Sequence, residues 1–127
     1  MITNFEEITR GLSDEEKRLI MNLVNAFKKV FNKRSEAIKG PELVEYINNW
    51  NKSQGIKVVL TEVRLRKLCN FIRSKTIIPL IATSKGYYCS YERLEIELQI
   101  KSLEERADAI LNSVTGLKRF LQNETVK

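Results

Sequence analysis

Histidine is absent from the 127 residues, and the two cysteines, Cys69 and Cys89, stand far apart with no CxxC between them. A zinc site draws on about four such ligands, so no metal is expected. The same lack removes Ser–His and Cys–His nucleophile pairs, and no P-loop or Gly-rich phosphate loop occurs. No cofactor and no catalysis are therefore expected. Glycine and proline are scarce, at five and two, which disfavours a loop-rich or all-β design. No stretch approaches the ~18 apolar residues of a membrane span. Residues 1–7 are acidic rather than apolar, unlike a secretory leader. The expectation is a cytoplasmic protein with free thiols and no membrane association.

Hydrophobic residues make up 43% and charged residues 30%, as in ordinary soluble domains. The net charge of +6 is unevenly placed. Residues 1–32 carry five basic and five acidic side chains, and residues 91–127 carry six and seven. Residues 33–90 carry eleven basic and four acidic, net +7. A surplus gathered in one segment attracts a polyanion, whereas a spread surplus only aids solubility.

Periodicity predicts a mostly helical α+β chain. Ser13-Asp14-Glu15-Glu16 reads as a capping box opening a helix to about Asn32. Leu19, Leu23, Ala26 and Val30 form one apolar stripe and Ile20, Val24, Phe27 and Phe31 another, so this helix is expected to be covered on two sides. Gly40-Pro41 opens a second helix with Leu43, Val44, Ile47 and Trp50 inward. Trp50 is expected as a core anchor, and Asn48 and Asn49 as polar residues of the helix end, with phosphate contact the alternative. Ile56–Leu60 is a short β-like run. Thr61 caps a third helix to about Ser74, with Glu62 at the positive end of its dipole. Leu65, Leu68, Cys69 and Ile72 face inward; Glu62, Arg66, Asn70 and Arg73 face outward, with Arg64 and Lys67 at the edges. Ile77–Thr83 and Tyr87–Ser90 read as a hairpin around Ser84-Lys85-Gly86.

From Glu92 to Gln122 the pattern is helical again. Ile96, Ile100, Leu103, Ala107, Ile110, Val114, Leu117 and Leu121 alternate steps of four and three, a heptad seam. Two arrangements satisfy it: a coiled coil in a homodimer, or folding back onto the wide face of residues 19–31. The homodimer is the expectation, with these eight residues as its contact. Glu92, Glu95, Glu97, Glu104, Glu105 and Asp108 alternate with Arg93, Lys101 and Arg106, which reads as solvated ion pairs rather than an acidic active site.

The segment Ile78-Pro79-Leu80-Ile81-Ala82-Thr83-Ser84-Lys85-Gly86-Tyr87-Tyr88 resembles the wing of small winged helix-turn-helix proteins of phages and prophages. It is similar, more distantly, to the biotin-repressor wing. The resemblance covers about residues 38–90. It implies a winged helix that binds double-stranded DNA in transcription regulation or replication, in a bacterial or phage-infected cell. Thr76-Ile77 stands where that family often has Gly. Under this reading the third helix enters the major groove, where Arg forks onto guanine and Asn onto adenine. The DNA-binding candidates are Thr61, Glu62, Arg64, Arg66, Lys67, Asn70 and Arg73, with Thr83, Ser84 and Lys85 reaching phosphate oxygens. The expected organisation is an N-terminal helix over 1–37, the winged helix over 38–90, and the long helix and polar tail over 91–127. The alternative is a non-catalytic protein-interaction module that docks through the long helix.

Overall fold

A computed structural model describes residues 5–126, and the side chains of residues 7–123. The elements run α1 (Phe5–Ile8), α2 (Asp14–Lys29), a 3-10 turn (Arg34–Glu36), α3 (Gly40–Ser53), α4 (Glu62–Ser74), β1 (Leu80–Thr83), β2 (Gly86–Cys89) and α5 (Arg93–Val126). The chain is mostly helical with one small sheet. It divides into two units, with the boundary between Tyr91 and Glu92.

In the first unit, α2 starts on the capping box: Ser13 Oγ accepts from the Glu16 N–H at 3.2 Å, and the Ser13 N–H donates to Glu16 Oε1 at 3.1 Å. Both stripes of α2 are used. Leu19, Ile20, Leu23, Ala26, Phe27 and, beyond the helix, Phe31 lie in a single core with α3, α4 and the hairpin. The N-terminal helix and the segment 38–90 thus share one hydrophobic interior. Val30, the last residue of the first stripe, is the exception and is 38% exposed.

The core side of α3 is Leu43, Ile47 and Asn51, one residue per turn. Trp50, expected inside, is 52% exposed. The helix runs on to Ser53, and its buried line passes through Asn51 rather than Trp50. Asn51 is buried because the loop after the helix closes over it: its carbonyl accepts from the Ile56 N–H at 2.8 Å. Its Nδ2 donates to the Val58 carbonyl at 3.4 Å. Ile56–Leu60, β-like in composition, forms no strand and pairs with none among the described residues. Asn48 takes the neighbour's place, donating to the Leu60 carbonyl at 3.0 Å and accepting from the Leu60 N–H at 2.7 Å. Asn48 is therefore a clamp on this loop rather than a plain helix-end residue.

Thr61 Oγ1 caps α4 by accepting from the Arg64 N–H at 3.2 Å. Leu65, Leu68, Cys69 and Ile72 are buried. The helix closes with the Thr76 N–H donating to the Arg73 carbonyl and the Ile77 N–H to the Ile72 carbonyl, at 3.1 and 3.0 Å. That is the Schellman pattern, which needs a left-handed residue at its hinge. Thr76 supplies it at φ 57°, where glycine is usual.

The two strands pair antiparallel, with Leu80 opposite Cys89 and Thr83 opposite Gly86. β1 is shorter than expected, because the Ile77 N–H is spent on closing α4 and Pro79 has no N–H to give. A third segment joins the sheet at one residue: Ile38 and Tyr87 exchange both backbone hydrogen bonds, at 3.0 and 2.7 Å. This contact dictates Gly86, since a Cβ there would lie 2.3 Å from the Ile38 carbonyl oxygen.

The second unit is α5, 34 residues long and therefore about 51 Å at 1.5 Å per residue. From Glu104 to Asn123 every side chain is exposed. Along the seam Ile100, Ile110, Val114, Leu117 and Leu121 are all exposed. No helix among the described residues is long and apolar enough to cross a membrane.

Candidate nucleic-acid interface

The outward arc of α4 is set by its buried one. With Leu65, Leu68 and Ile72 fixed in the core, Glu62, Val63, Arg66, Lys67 and Asn70 are turned to solvent. Among the described residues, Arg66 and Asn70 have no partner within the chain, so their donors remain available. Thr61 is exposed at the N-terminal end of this arc, its hydroxyl already engaged as the cap.

Three of the expected cations are held by neighbours. Lys67 Nζ sits 2.6 Å from Glu16 Oε2. Arg64 reaches toward Glu15 at 3.6 Å and donates to the Val59 carbonyl at 3.4 Å. Arg73 turns inward, and its Nε donates to the Leu80 carbonyl at 3.0 Å. Arg73 thus ties α4 to the base of the hairpin, and the outward position expected for it is not the one observed. The difference is one of reach: helical spacing fixes where the Cα points, but a long guanidinium follows the nearest buried acceptor.

The Lys67 ammonium, and then the Ser13 N–H, hold the Glu16 carboxyl below the usual carboxylate range. Burial pushes the Cys69 thiol up to about 12, against the pull of Arg73, and pushes Cys89 up as well. Both cysteines are buried free thiols, so at neutral pH they act as small apolar side chains.

At the hairpin, Thr83, Ser84 and Lys85 are exposed together. Thr83 Oγ1 accepts from the Lys85 N–H at 3.1 Å, which shapes the tip. Lys85 lines one shallow cleft with Arg34, Ser35 and Ala37. Arg34 and Ser35 were hidden in the sequence as a basic connector; the Ile38–Tyr87 pairing that brings them near the hairpin involves one residue and has no periodicity. Val63, 71% exposed on the outward arc, is another addition, because an apolar group there can touch a thymine methyl. A separate groove between α2 and α3 is lined by Asn22, Ala26, Lys29, Val30, Tyr46 and Trp50, among others.

Along α5, Ile96 and Leu103 are partly covered and the rest of the seam is exposed. No group of three or more potential metal-ligating side chains occurs among the described residues. No family model, curated protein or solved structure matches this chain.

Proposed function

We propose that the unit ending at Tyr91 is a winged helix-turn-helix of the phage and prophage type, and that it binds double-stranded DNA without catalysis. The observation that carries this reading is the exposed pair Arg66 and Asn70 on α4, near-aligned on one arc, in the segment that holds the whole positive surplus. The element order supports it: α2, the Ile38 pairing, α3, α4, then β1 and β2 follow the helix, strand, helix, helix, hairpin order of winged helices. In this reading α4 lies in the major groove, about 12 Å wide. Lys85, with Thr83, Ser84 and Arg34, holds the phosphates beside it. Lys67 and Arg64 are shared between Glu15 and Glu16 and the duplex. The long α5 pairs two chains.

Binding to duplex pools by fluorescence anisotropy at several salt concentrations tests the proposal. Affinity should fall steeply with salt. On a preferred site, Arg66→Ala and Asn70→Ala should each cost ~1–3 kcal/mol, and Lys85→Ala should weaken all duplexes alike. Equal binding by wild type and the triple alanine variant would remove the proposal.

A second reading rests on the α2–α3 groove, where Val30, Tyr46 and Trp50 expose apolar surface. Such patches mark protein-docking sites, and the protein would then be a non-catalytic interaction module. Salt-insensitive capture of a partner, abolished by Trp50→Ala while Arg66→Ala has no effect, would favour it.

A further inference from the structure

The seam of α5 can be paired with a second chain in two directions, and its side chains distinguish them. In heptad terms Ile100, Ala107, Val114 and Leu121 occupy the a positions, and Ile96, Leu103, Ile110 and Leu117 the d positions. Glu97, Glu104, Leu111 and Lys118 flank the seam on one side, and Gln99, Arg106, Ser113 and Phe120 on the other.

In a parallel in-register pair each a residue meets its own copy. Ala107 would then face Ala107, a thin layer in mid-seam. No flanking pair would join opposite charges, since Gln99 would approach Glu104, Arg106 would approach Leu111 and Ser113 would approach Lys118. The halves of the helix would also be matched like with like. Residues 93–108 carry three basic and five acidic side chains, net −2, and residues 109–127 carry three and one, net +2.

The antiparallel pairing reverses each of these. Centred between Asp108 and Ala109, it places Ala107 against Ile110 of the second copy, Leu103 against Val114, Ile100 against Leu117 and Ile96 against Leu121. Small then meets large in the middle. Glu97 meets Lys118 twice by symmetry, and the acidic half of each helix lies along the basic half of the other. Apolar Leu111 and Phe120, both exposed, widen the seam in the half where it overlies the partner's first turns.

We infer that α5 docks on a second copy of this chain as an antiparallel coiled coil centred at residues 108 and 109. The inference rests on the chain pairing proposed above but not on DNA binding. It has a spatial result. The two Glu92 positions stand 33 helical residues apart across the pair, or about 50 Å, where a parallel pair would hold them about 10 Å apart. The paired helices act as a spacer between the two first units.

Disulfide trapping on the full chain reads the direction. Ile100→Cys and Leu117→Cys are made as single variants, with wild type as the control for the buried native thiols. The antiparallel pair gives a crosslinked dimer only when the two variants are mixed, and none from either alone. Crosslinking of either variant with itself overturns the direction. Absence of a crosslink in every sample overturns the pairing, whatever the mass in solution. As a second readout, Glu97→Lys and Lys118→Glu should each weaken dimerisation several-fold at low salt, and the double variant should restore it. Ile110→Asp should return the monomer mass of 14.8 kDa without unfolding the first unit, whose core cluster contains no residue of α5. A chain that crosslinks as expected but ignores DNA leaves the pairing standing and removes only the DNA reading.

Discussion

At the scale of single residues, Thr76 sits where its side chain is least suited. A β-branched residue at φ 57° crowds its own carbonyl, at a cost of roughly 1–2 kcal/mol. Glycine would relieve that crowding but adds freedom to the unfolded chain, worth about 0.5–1 kcal/mol. Thr76→Gly is therefore expected to stabilise the protein by on the order of 0.5–1 kcal/mol, seen as a higher denaturant midpoint with an unchanged slope. A lower midpoint would mean that the Thr76 side chain contributes more than its backbone costs. Some of this was legible from sequence: the missing glycine after α4 is visible in the letters, but not that Thr76 itself takes the left-handed turn. Arg73 and Trp50 were not legible, because each depends on a neighbour just beyond its own helix that helical spacing does not describe. Leu80 accepts the guanidinium, and the loop from Ile56 covers Asn51 and leaves Trp50 outside.

At the scale of elements, α4 was readable almost whole, since its inner face repeats Leu65, Leu68 and Ile72 at helical spacing and Thr61 marks its start. What its edges touch was not readable. The contact of Lys67 with Glu16 joins the middle of α4 to the first turn of α2, and Glu16 also completes the capping box. Both contacts favour the carboxylate, so the folded protein holds the Glu16 pKa below its unfolded value. The unfolded chain then binds the proton more readily. Stability from this group is fully present above the ordinary glutamate range near 4.5 and is lost as pH falls through the lower folded value. Glu16→Gln should lower stability at neutral pH and flatten that acid limb, measured by thermal melts from pH 3 to 7. An acid limb of unchanged steepness would show that other carboxylates carry it. Since Lys67 is engaged by Glu16, the same variant should also free an ammonium for phosphate and strengthen nonspecific DNA binding.

At the scale of the whole molecule, the first unit has its own interior, which includes no residue of α5, and most of the α5 seam is exposed. The sequence showed the seam because heptads are periodic. It did not show that α2 belongs to the interior of the first unit, because two stripes on one helix fit either an internal or an external partner. The Asn48 clamp bears on how molecules meet in a concentrated solution. Ile56, Val58, Val59 and Leu60 lie outside any helix or strand, are apolar and mostly β-branched, and such a segment can offer its peptide edge to a passing strand. Asn48 fills the edge at Leu60 from both its donor and its acceptor, so the chain carries its own substitute for a neighbouring strand. Asn48→Ala would open that edge. The variant is expected to form thioflavin-binding aggregates on mild heating at concentrations where wild type stays clear, and an equally clear variant would show that the remaining bonds from Asn51 and Arg64 keep the edge closed. A side-chain amide on a helix here stands where a paired strand would give the same two hydrogen bonds.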